Sequence, residues 1–100
     1  MSLNMKEIQN RAEKKVEMLA PELKELSLKI HENPELGKEE FKACRWQVEL
    51  LKKYGFDAQD NFCGIPTAYH ASYISGKPGP KLAFLAEYDA LAGLGHGCGH

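Results

Sequence analysis

The sequence lacks the features that would place it in several large functional classes. Neither sign of charge is in excess: 13 lysines and arginines face 14 aspartates and glutamates, a formal net charge of −1. So balanced a chain has no field to draw in DNA, RNA or an anionic bilayer, and neither nucleic acid nor membrane is expected as a partner. No apolar run approaches the ~20 residues of a membrane span, and the acidic, amphipathic N-terminal stretch is no secretory signal. Cysteine is sparse: Cys44, Cys63 and Cys98 are odd in number and scattered. This excludes a disulfide framework and points to a reducing compartment, so the expected location is cytoplasmic. Internal repeats, low-complexity tracts and interdomain linkers are also missing. One hundred residues make at most one domain, with a core that withdraws only about 60–68% of the unfolded surface. Met1-Ser2-Leu3 reads as a leader foreign to the fold.

What is present divides into helices followed by strands. Ile8, Ala12, Val16 and Leu19 recur at helical spacing, as do Leu19, Leu23, Leu26 and Ile30. Pro21 falls between the two series, where it either kinks one long helix or occupies the first turn of a second. Asn33-Pro34 and Gly37 break the helix. Phe41, Cys44, Val48 and Leu51 form the next stripe, which closes on two lysines with Gly55 as the cap. Cys44 in that stripe reads as a small buried hydrophobe, and Cys63, before a Gly-Ile-Pro turn, has no role. The period then changes: residues 56–62 read as a short strand, and residues 67–74 alternate as a strand with one wet face. Leu82 to Ala86 run without a polar interruption, as a fully buried strand would. The expected fold is α/β, with helices packed on a small sheet whose central strand is about Lys81–Glu87.

Beyond that run the sequence turns reactive. Glu87 and Asp89 are spaced i, i+2, so an extended backbone sends both to one side. His96, Cys98 and His100 follow at alternate positions, separated by glycines that let the backbone turn tightly around an ion. Carboxylate, imidazole and thiolate are the donors that bind zinc or a similar divalent ion. Sites in open α/β sheets form just beyond the carboxyl ends of strands, where these residues stand.

The stretch LAEYDALAGLGHGCGH resembles the metal-site region of the M20 metallopeptidases, in their amidohydrolase branch and its aminobenzoyl-glutamate hydrolase-like group. Asp89-Ala90-Leu91-Ala92 matches the family's Asp-Ala-Leu-Pro except that Ala92 replaces the proline, and Cys98-Gly99-His100 matches its Cys-Gly-His. A second segment agrees at His31, Pro34, Glu35, Leu36 and Glu40, so the likeness spans about residues 20–100. It implies a zinc-peptidase-like (phosphorylase/hydrolase-like) catalytic domain. Residues 1–100 would be its N-terminal portion, with the rest of that domain and the lid domain absent.

The implied activity is metal-dependent hydrolysis of an amide bond in an N-acyl amino acid or dipeptide-like small molecule. The implied cofactors are two divalent ions, with zinc expected and manganese, cobalt or nickel open. Cys98 and His100 match metal ligands, and Asp89 matches the catalytic aspartate that orients one of them. Glu87 is expected to support the site, His96 to neighbour it, and His31 to be a packing residue at a helix C-terminus. The intact enzyme is expected to be a homo-oligomer, and the chain by itself to be inactive because the general base and the remaining ligands lie downstream. The other class of function is a short non-catalytic metal-binding or interaction module that offers strand edges to another chain.

Overall fold

A computed structural model of the chain describes residues 4–97 and 99; the leader-like residues 1–3 lie outside them. The first helix, α1, spans Met5–Glu32 and carries Pro21 inside it, so the two apolar series belong to one helix. Pro21 has no N–H to give the carbonyl four residues earlier, a loss the helix tolerates. Asn4 caps the N-terminus: its side-chain oxygen accepts from the Glu7 amide at 2.8 Å, and its side-chain amide donates to the Glu7 carboxylate at 3.4 Å. At the other end the Asn33 side chain donates to the Lys29 carbonyl at 2.8 Å, and Pro34 prevents continuation.

The second helix, α2, spans Phe41–Lys53 and buries Ala43, Cys44 and Val48. Phe41, placed by its spacing in the buried stripe, is 57% exposed. The Gly55 amide donates to the Lys52 carbonyl at 3.1 Å from a φ of +88°, the left-handed conformation that favours glycine. Strands β1 (Asp57–Asp60) and β2 (Tyr69–Ser72) form an antiparallel hairpin with Ala58 opposite Ala71. A short 3-10 turn at Phe62–Gly64 lies between them. The core is where α2 lies on this hairpin: Cys44, Val48 and Ala58, closed over by Leu51, Tyr69, Ala71 and Tyr88. Helix α1 buries no residue completely. Leu19, Leu26 and Ile30 are half covered, while Ile8 and Val16 of the expected stripe stand in solvent. Between the helices, the Lys53 ammonium and the Tyr54 hydroxyl both donate to the Glu22 carboxylate.

One expectation fails. Residues 81–87 form no strand, central or otherwise, and Leu82, Phe84 and Leu85 are 77%, 92% and 93% exposed. A strand exists only by pairing, and among the described residues the sheet consists of β1 and β2 alone, neither paired with this run. The uninterrupted apolar pattern states what the segment needs to cover it, and no described element covers it. The helix-on-sheet arrangement is therefore an α/β unit reduced to α2 on one hairpin. No helix of the described residues is long and apolar enough to cross a membrane.

Tyr88 ties the end of that run to the core. Its ring stacks on Tyr69 at 5.9 Å, and its hydroxyl donates to the Thr67 carbonyl at 2.5 Å. Burial pushes the Tyr88 phenol well above its ordinary range, with the neighbouring Cys44 adding to the effect; burial likewise raises Tyr69 and the Cys44 thiol. All three folded-state values lie above those of the unfolded chain. Their contribution to stability is therefore complete below the ordinary thiol and phenol range and is lost progressively as pH rises from that range toward the raised folded-state values. We expect far-UV ellipticity to fall as pH passes about 9–10. Ellipticity unchanged to pH 12 would contradict this packing.

Candidate functional site

The site is assembled by the segment around Pro34–Leu36, which serves two elements at once. The Glu35 carboxylate accepts from the amides of Lys42 and Ala43 at 3.0 and 2.9 Å, capping α2 from outside the helix. These amides would otherwise lack partners, and the positive end of the helix favours the carboxylate's charge. The Glu35 carbonyl accepts from the Ala90 amide at 2.7 Å, and Leu36 pairs with Ala90 in a parallel bridge. One residue thus fixes the start of α2 and the backbone next to Asp89. The two sequence stretches that resemble one family meet here.

After Ala90, which is buried, the chain folds back on itself. Leu91 and Gly95 exchange backbone hydrogen bonds of 3.0 and 2.9 Å, and Gly95 sits at φ +64° against Pro34. A side chain at Gly95 would force an L-residue into the left-handed region, at a cost of about 1–2 kcal/mol. At Gly97 a Cβ would lie 3.3 Å from Leu94, a tight contact that Leu94 would have to yield to by a few tenths of an ångström.

Between α1 and this loop lies a cleft of about 520 Å³. Glu87, Asp89, His31, His96 and Gly99 line it, with Tyr88 between the two carboxylates. Residues 85–89 all contribute to this lining, so both carboxylates reach the cleft together with the residue between them. His31 is exposed on the last turn of α1, and its ring lies 6.3 Å from that of His96. Its spacing suggests only helix packing; the loop that brings His96 opposite it is a tertiary contact with no local signal. His96 is half-buried, and its Nε2 is shut off from solvent with no hydrogen-bond partner among the described residues. Such an atom costs about 1–3 kcal/mol until something satisfies it.

Among the described residues no three histidines, cysteines, aspartates or glutamates converge closely enough to hold a metal ion. The two expected ligands, Cys98 and His100, lie outside the described residues. Gly99, the residue between them in sequence, lines the same cleft as Asp89 and His96.

No family model matches the chain. It is 39% identical over 88 residues to one of the subunits of the p-aminobenzoyl-glutamate hydrolase of Escherichia coli, a match covering 71% of this chain and 18% of that protein. It is 36% identical over 105 residues to Xaa-Arg dipeptidase of Mus musculus, covering 93% and 23% of the two chains. It is also 35% identical over 86 residues to thermostable carboxypeptidase 2 of Saccharolobus solfataricus, covering 72% and 22%. The chain therefore spans about a fifth of the length of the curated relatives it matches.

Proposed function

Because this chain belongs to the M20 family of amidohydrolases and peptidases, we propose that residues 1–100 are the N-terminal portion of the catalytic domain of a metal-dependent amide hydrolase. The substrate class is an N-acyl amino acid or a dipeptide-like small molecule, by analogy with what those relatives are named for. The observation that carries the reading is the 2.7 Å bond from Ala90 to Glu35, which brings the Pro34–Leu36 segment against the Asp89 segment beside a cleft lined by carboxylates and imidazoles.

The donors fit a divalent ion. Cys98 supplies a thiolate and His100 an imidazole, and a reducing cytoplasm keeps the thiolate available. Asp89 acts on a ligand rather than on the ion, accepting from it and fixing its orientation. Glu87 adds negative charge to the same cleft. Zinc suits this set, and manganese, cobalt or nickel would be held by the same groups. Two ions bound there would supply a water of lowered pKa and polarise the scissile carbonyl. Tyr88 holds the Glu87–Asp89 backbone to the core through Thr67, so the carboxylates are presented from a fixed base. The whole enzyme is proposed to be a homo-oligomer.

The exposed Leu82, Phe84 and Leu85 favour a second reading, a non-catalytic module that docks on another chain. Catalysis separates the two. A catalytic site of this kind needs about three protein ligands and an open position per ion, with a general base besides. Cys98 and His100 are two ligands, and Asp89 and His96 could complete at most one mononuclear site. We therefore expect the 100-residue chain, given zinc or manganese, to hydrolyse neither N-acyl amino acids nor p-aminobenzoyl-glutamate. The full-length protein carrying this segment should do so and lose the activity to chelators. A full-length protein with no chelator-sensitive hydrolysis would favour the module.

A further inference from the structure

We propose that residues 81–87 pair with the same segment of a second copy of this chain, as antiparallel strands related by a twofold axis at Phe84. The inference does not depend on what the cleft catalyses. Two observations carry it. The first is that the segment is ready to pair. All of its residues are exposed and none has a positive φ. Among the described residues its backbone groups have no hydrogen-bond partner. A row of free amides and carbonyls along an apolar run is a template for another strand.

The second is that the segment is complementary to itself in one direction only. Laid antiparallel with Phe84 opposite Phe84, Leu82 faces Ala86, Ala83 faces Leu85 and Lys81 faces Glu87. Opposite residues share a face of the pair, so Leu82, Phe84 and Ala86 make one side wholly apolar. On the other side Lys81 and Glu87 close both ends with an ion pair. A parallel pair in the same register would set lysine against lysine and glutamate against glutamate, so charge selects the antiparallel form. Neither residue has an ion-pair partner in its own chain among the described residues. Pairing stops at these ends: Pro80 has no amide to donate, and Tyr88 is held to the core through Thr67. Glu87 lines the cleft yet is exposed, so the contact with Lys81 of the second copy forms at the cleft's edge.

The test is sedimentation velocity of the 100-residue chain at rising concentration. The paired area falls in the class below about 1,200 Å² that transient complexes occupy, so we expect a weak, reversible dimer and nothing larger. Lys81→Glu sets like charges opposite each other at both ends and should weaken the dimer about tenfold. Adding Glu87→Lys should restore it, because the ion pairs are then reversed and not lost. Phe84→Lys, which places two ammonium groups at the axis, should abolish it. Phe84 is 92% exposed and these side chains lie outside the core, so circular dichroism should be unchanged in every variant. Isotope-filtered NOEs in a mixture of labelled and unlabelled chain should join Leu82 of one copy to Ala86 of the other. A chain that stays monomeric would overturn the inference and leave the run to another protein or to the remainder of a longer chain. A dimer indifferent to Phe84→Lys and to the charge reversal, or growth beyond a dimer, would overturn it too. None of these outcomes touches the amide-hydrolase reading, which stands or falls on metal binding through Cys98.

Discussion

Replacing Cys98 with alanine in the full-length protein is expected to abolish metal loading and, with it, amide hydrolysis. The thiolate is the one soft donor in the octet that closes this sequence, and alanine has nothing to offer an ion. Loss of a group that merely orients a ligand costs ~10–100-fold in affinity or activity. Loss of a ligand should exceed that range, with affinity falling more than ~100-fold. Asp89→Asn should fall inside it, since the amide keeps an acceptor oxygen and the volume but loses the charge, and the fold should survive. Metal analysis after gel filtration reads the first effect, and turnover under metal saturation reads the second. An alanine variant with full metal content and full turnover would show that the ion is held elsewhere.

The second large effect is on stability and comes from Glu35. Its carboxylate accepts from two amides at the start of α2, and α2 is the element on which the hairpin and its core rest. Hydrogen bonds to a charged group contribute about 1.5–3 kcal/mol when well shielded, and helix caps about 0.5–2 kcal/mol. For partly exposed bonds a loss of about 2 kcal/mol in Glu35→Ala is the reasonable expectation. In a chain of this size that lowers Tm by about 8–16 °C. Glu35→Gln should lose roughly half as much, because one oxygen remains to accept while the favourable charge at the helix N-terminus is gone. Because the Glu35 carbonyl also holds the Ala90 amide, the alanine variant should loosen the Asp89 segment, seen as faster amide exchange at Ala90. A Tm unchanged by Glu35→Ala would mean that α2 starts by other means.

These two residues differ in how far the sequence reveals them. Cys98 is conspicuous locally, set between histidines and glycines. Glu35 is one acidic residue in a turn, seven residues ahead of the first amide it caps, and local capping rules look only three residues away. Its importance could be suspected from the motif resemblance, but its partners could not. Elements that depend on neighbours in sequence are legible: α2 with Gly55 behind it, the Asn33-Pro34 break, and the two short strands. Elements that depend on distant partners are not. The run at 81–87 has the composition of a buried strand because composition records a requirement for cover, and in the described structure Leu82, Phe84 and Leu85 lack that cover. From the sequence His31 reads as a helix-packing residue, and His96, by spacing one of three alternating donors, reads through the resemblance as a neighbour of the ligands. Facing each other across a cleft is a property of the fold, and nothing in the spacing of either residue announces it.

The central claim is that Cys98 and His100 bind a catalytic metal beside the cleft that Asp89 lines. X-ray absorption at the edge of the metal that accompanies the full-length protein tests this most directly. The account predicts one sulfur neighbour, at about 2.3 Å if the metal is zinc, together with nitrogen and oxygen neighbours at about 2.0–2.2 Å. The sulfur shell should vanish in Cys98→Ala. A first shell of nitrogen and oxygen alone in the unaltered protein, or a sulfur shell that survives the substitution, would contradict it.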